Sequence, residues 1–124
     1  LHLKGNIKLQ YNEASQHCKA LQSNIVSIHS DEEYEFTRKI CKFNQFWIGL
    51  RKQANDLWSW TDKTKVDFKQ WGLMQPDNCC GNNVTCAVSD TMFGRGLWYD
   101  VSCDVAHGFV CKYDPRGTEN IVNN

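Results

Sequence analysis

Residues 86–111 read CAVSDTMFGRGLWYDVSCDVAHGFVC. Three short apolar runs, "CAVS", "GLWY" and "GFVC", are separated here by Gly, Asp and Ser. Runs of that length, bounded by turn-forming residues, read as strands rather than helices. Three cysteines punctuate them: Cys86, Cys103 and Cys111. Trp98, in the middle run, is expected to pack beneath a neighbouring loop.

Upstream the pattern divides in two. "YNEASQHCKAL" spaces Ala14, Cys18 and Leu21 for a helix, with Asn12 as its N-cap. "NIVSI" is a short extended run, and "SDEEYEFTRKIC" opens with Ser30 and Glu33 placed as a capping box. That second helix is acidic in its first turn and basic in its last (Arg38, Lys39), which suits the helix dipole, and Phe36 with Ile40 supplies an apolar stripe. After Cys41, "FWIGL", "LWSW" and "VDF" are strand candidates. From Phe68 to Asn83 neither period holds, and Gly, Asn, Pro and Asp accumulate. So long a stretch inside a compact domain is usually functional or disordered. The expected class is α+β: two early helices, then an antiparallel sheet carrying a long loop. Residues 1–113 are expected to form the domain and 114–124 a polar tail with little to bury.

At 124 residues the chain suits one domain with a real hydrophobic core, and 41% hydrophobic and 12% aromatic residues are values of a packed protein. Lys+Arg and Asp+Glu both total 14. That balance gives no electrostatic reason to expect nucleic acid or an acidic membrane as partner. Seven cysteines in so short a chain point to an oxidising, secreted or extracellular setting. No apolar run approaches the roughly 18 residues of a membrane span, so membrane insertion is not expected. No charged-then-apolar leader is visible, which reads as a mature or trimmed secreted domain.

Taken in order, "WIGL" at Trp47–Leu50, "QPD" at Gln75–Asp77 and the motifs from Cys86 to Cys111 resemble the C-type lectin domain, over roughly residues 5 to 113. The family's additional first hairpin is absent, which marks the short form. The resemblance implies that Cys18 bridges Cys111 and that Cys86 bridges Cys103, the latter closing a loop like the 15-residue case worth about 3 kcal/mol. Cys41, Cys79 and Cys80 remain, an odd number. The preferred pairing joins Cys41 to Cys79 or Cys80 and leaves the other for a partner chain, hence a disulfide-linked dimer. A vicinal Cys79–Cys80 bridge is the alternative.

In the family a cis proline presents its two neighbours on one face of the long loop, where they share Ca²⁺ and sugar hydroxyls. "QPD" members are similar to galactose or N-acetylgalactosamine binders. The implied ligands for carbohydrate and for Ca²⁺ are Gln75, Asp77 and Asp100. Two positions depart from the family: Val84 stands where a glutamate is usual, and Tyr99 where an asparagine is. The aromatic that often follows the motif is replaced by Asn78 and Cys79. A set so reduced implies weak Ca²⁺ binding, in the roughly 10⁻⁴–10⁻³ M range of extracellular modules. The implied partners are glycans or glycoproteins. The competing reading is a calcium-independent, lectin-like module that binds a protein. "NVT" at Asn83–Thr85 is a glycosylation sequon beside the proposed pocket.

Other chemistry fares worse. "CCGNNVTC" lacks the histidine of a secreted phospholipase, and its spacing is not that of a structural zinc site. "HSD" at His29–Asp31 holds catalytic residue types, but sequence neighbours rarely form a triad, and capping is the expected role. His2, His17 and His107 are expected on the surface or in packing. No nucleophile–base arrangement emerges, so an enzyme is not expected.

Overall fold

The computed structural model describes residues 2–4 (as backbone), 7–78, 83–92 and 96–113. Helix α1 spans Tyr11–Ala20 and α2 spans Asp31–Ile40. The strands are β1 (His2–Lys4), β2 (Ser23–Ile25), β3 (Gln45–Lys52), β4 (Trp58–Trp60), β5 (Cys86–Asp90), β6 (Leu97–Val101) and β7 (Gly108–Tyr113).

Both helices form where the apolar periodicity places them, with different details at their ends. The N-cap of α1 is Gln10, not Asn12, and its N–H donates to the Glu13 carboxylate at 3.1 Å. Starting at Tyr11 puts Tyr11, Ala14 and Cys18 on one buried stripe, while Leu9 is still paired in extended form with His107. In α2 the Ser30 hydroxyl accepts from Glu33 N–H at 3.1 Å, as a cap should. The Glu33 carboxylate, however, reaches His29 N–H at 2.9 Å, one residue earlier than in a reciprocal box. The buried face of α2 is Tyr34 and Thr37, whereas Phe36 is half exposed.

The sheet runs β1-β7-β3-β5-β6, with β2 also on β7 and β4 on β3. It is mixed: β3 and β7 run parallel through Phe46↔Gly108 and Trp47↔Phe109, while the other pairs are antiparallel. Alternation along β3 divides the interior. Phe46, Ile48 and Leu50 enter one core with Val26, Trp60, Trp98 and Val110, and Trp47 enters the other with Tyr11, Val88 and Phe109. A strand covered on both faces reads as a continuous apolar run, and "FWIGL" is one. Gly49 in that run is required by close approach, because a Cβ there would lie 2.6 Å from the Ile25 carbonyl oxygen.

"VDF" forms no strand. Val66 and Phe68 pack against the core of Phe46, Ile48 and Leu50 from irregular backbone, so their apolar character reports burial without a ladder. Among the described residues, two disulfides lock the frame. Cys18–Cys111 (S–S 2.02 Å) ties α1 to β7, and Cys86–Cys103 (2.09 Å) ties β5 to the turn before β7. Cys41 is the partly buried C-cap residue of α2; Cys79 and Cys80, its expected partners, lie outside the described residues, as does the 114–124 tail.

Candidate functional site

The proline loop is built onto the free edge of β6. Trp98 N–H donates to the Gln70 carbonyl at 2.7 Å and Gly72 N–H to the Trp98 carbonyl at 2.9 Å, so Gln70–Gly72 runs beside β6 as a partial strand. Trp98 is fully buried and touches Trp60, Phe68 and Trp71 edge-on, as the sequence led us to expect. Beyond it the chain turns: Gln75 N–H donates to the Gly72 carbonyl at 3.0 Å, Met74 takes φ 61°, and Leu73 and Met74 are left exposed at the tip. The Gln75–Pro76 peptide is cis.

The three residues implied by the motif converge. Asp100 is 4% exposed, and its two carboxylate oxygens accept from Asp77 N–H (3.0 Å) and Asn78 N–H (2.7 Å). The Lys52 ammonium steadies the same segment by donating to Asn78 Oδ1 at 3.2 Å. Gln75 Nε2 donates to Asp77 Oδ2 at 3.1 Å. That bond turns the amide so that Gln75 Oε1 is buried without a hydrogen-bond partner among the described residues. An unpartnered buried acceptor costs free energy, so such an atom calls for a cation or donor that completes it.

The two departures from the family pattern have packing roles. Val84 is 4% exposed, an apolar side chain inside the structure. Tyr99 lies against Gly72, where a Cβ would meet its Cε1 at 3.0 Å. The ring therefore props the loop at Gly72. Asn83 is exposed at φ 62°, and its Oδ1 accepts from the Thr85 hydroxyl at 3.3 Å.

Gln75, Asp77 and Asp100 border a cleft of about 450 Å³ whose floor is Val88, Tyr99 and Val101. Sequence reasoning did not find its far wall of Gln45, Asp90 and His107, which come from three distant segments. His107 packs edge-on against Trp47 at 4.8 Å. Burial lowers its pKa below the ordinary 6.5 and nearby Lys8 adds to this, against the opposing pull of Asp90. No local spacing joins these residues; only the sheet register does.

The donor chemistry fits a hard cation, being amide and carboxylate oxygen. No cluster of three or more His, Cys, Asp or Glu side chains forms a metal cage among the described residues. An ion here would therefore depend on water and ligand hydroxyls to approach the six to eight oxygens that Ca²⁺ takes.

The family model described as Lectin C-type domain matches residues 7–113. The chain belongs to the C-type lectin domain family. It is 32% identical over 129 residues to human layilin, covering 86% of this chain and 33% of layilin, so it spans about a third of that relative. It is 30% identical over 110 residues to a C-type lectin galactose-binding isoform of Hoplocephalus stephensii, covering 82% of this chain and 69% of the relative. Among solved structures it is similar to a calcium-independent type II antifreeze protein, at 25% identity and a TM-score of 0.79, covering 89% and 82% of the two chains. Within this C-type lectin domain, both disulfides stand as the family resemblance implied. No described helix is long and apolar enough to cross a membrane.

Proposed function

We propose that this C-type lectin domain binds carbohydrate at the proline loop, with galactose or N-acetylgalactosamine as the preferred sugar and with Ca²⁺ as cofactor. The observation that carries the reading is Gln75 Oε1, a buried acceptor without a partner among the described residues, in the cleft that Gln75 shares with Asp77 and Asp100. Gln75, Asp77 and Asp100 are the residues that would hold the ion, which when bound polarises and ligates sugar hydroxyls. Asp100 orients the loop through its two backbone hydrogen bonds, Gln75 presents its carbonyl, and Asp77 supplies the negative charge. The acid-after-amide order of Gln75 and Asp77, and the similarity to a galactose-binding isoform, support the sugar preference.

A second reading rests on one observation. Asp100 already anchors Asp77 and Asn78 through the chain's own amides, so the loop has a support that needs no ion. A calcium-independent module on this fold, binding a protein partner, is compatible with that arrangement and with the calcium-independent structural relative.

Galactose-resin chromatography separates the two. Retention that EDTA reverses, and that Asp77→Ala abolishes at an unchanged melting temperature, is expected for the first reading. Absence of binding on a glycan array in millimolar calcium would overturn it.

A further inference from the structure

The cleft at the proline loop does not end at its far wall. Gln45, Asp90 and His107 also line a second cleft of about 450 Å³, bordered further on by Lys8, Lys42 and Phe43. The two are one groove crossing the sheet from the β6 edge, over β5, to the start of β3. Register explains its floor: Gln45 is opposite Asp90, Val88 opposite Tyr99, and all four side chains share one face. Two inter-strand spacings of about 4.8 Å, β6 to β5 and β5 to β3, give it a length of roughly 10 Å, longer than one sugar ring needs.

The ends of this groove differ in charge. At the loop end stand Gln75, Asp77 and Asp100. Midway, the Asp90 carboxylate is satisfied from within, accepting from Gln45 Nε2 at 2.9 Å and from Met92 N–H at 2.9 Å. At the other end, Lys8 and Lys42 are exposed, and neither has a carboxylate in ion-pair range among the described residues. The Lys8 ammonium is 5.2 Å from the centroid of the Phe43 ring, which holds that cation at the groove mouth. Lys8 also reaches His107 electrostatically and opposes its protonation, so the positive field extends into the groove.

We propose that the ligand is an acidic oligosaccharide lying along this groove, with a hydroxyl-bearing residue at Gln75 and Asp77 and a carboxylate or sulfate between Lys8 and Lys42. The neutral end of this assignment rests on the carbohydrate reading given above; the anionic end does not.

The test is a glycan array in millimolar calcium that presents neutral galactosides beside their sulfated and uronic-acid-bearing counterparts, probed with the wild type and a Lys8→Gln/Lys42→Gln variant. Both lysines are exposed, so the variant is expected to melt with the wild type. The wild type should favour the acidic glycans by roughly three- to tenfold, the scale of two exposed ionic contacts, and the variant should lose that preference while keeping neutral binding. Raised salt should erode the preference in the wild type alone. Equal binding of neutral and acidic glycans by the wild type, or a preference that survives in the variant, overturns the inference and leaves the galactose reading intact. Lysine-dependent binding of acidic glycans without any neutral binding supports the anionic end and removes the galactose reading. Binding of neither class overturns both.

Discussion

Asp62, just after β4, and Asp100, in β6, both hold parts of the connection that joins β4 to β5, each with a buried carboxylate. Their surroundings differ. Asp62 accepts from the Ser27 hydroxyl (2.5 Å) and from Thr64 through both its N–H (3.0 Å) and its hydroxyl (2.5 Å). That cluster continues through His29, which contacts Thr64 and Asp67, and through Lys112, which joins Ser27 to Glu33. Every one of these groups finds its partner within the protein. Asp100, by contrast, holds two backbone amides and shares its cleft with an acceptor that finds no partner among the described residues. A carboxylate surrounded by side-chain donors closes a joint; a carboxylate that accepts from backbone amides fixes the path of a loop.

This contrast can be broken by mutation. Asp62→Ala should have the largest effect on stability, about 4 kcal/mol by denaturant unfolding, because three donors to a charged acceptor are lost together. Sugar retention by the folded fraction should be unchanged. Asp100→Ala should cost about 3 kcal/mol, since two such bonds are lost, and should also abolish retention. If Asp100→Ala lowered stability and left retention intact, the two carboxylates would be equivalent and the distinction would fail.

The smallest effect concerns pH. His107 titrates below the ordinary 6.5 in the folded protein, mainly because burial disfavours its charged form. The unfolded chain therefore takes up this proton first as pH falls. The contribution to stability is complete above about pH 6.5 and is lost as pH drops through the lower folded value. His107→Gln should flatten the unfolding midpoint between pH 7 and 5 relative to wild type, with little change above pH 7. An identical pH slope in both proteins would show that another group sets it.

Much of the fold was legible because its signals are local or carried by order along the chain. "WIGL" needs a glycine where strand β3 meets the Ile25 carbonyl, and Trp98 is apolar among turn formers because the loop must rest on something. The positions of Gln75, Asp77 and Asp100 were legible through the family resemblance. The task of Asp100 was not, since its partners are backbone amides, which every sequence possesses and none advertises. The groove wall was hidden for another reason: Gln45, Asp90 and His107 meet only through strand register. "VDF" misled because the apolar residues that mark a strand also mark irregular chain lying over a core.

The Cys18–Cys111 bridge, spanning 93 residues, has a practical consequence. Any single protease cut between those cysteines, including one at the exposed Leu73–Met74 turn, leaves both pieces in one covalent molecule. A nicked population would therefore migrate as intact material until reduced. Loss of sugar binding without loss of apparent size would then report a severed loop on an unbroken frame.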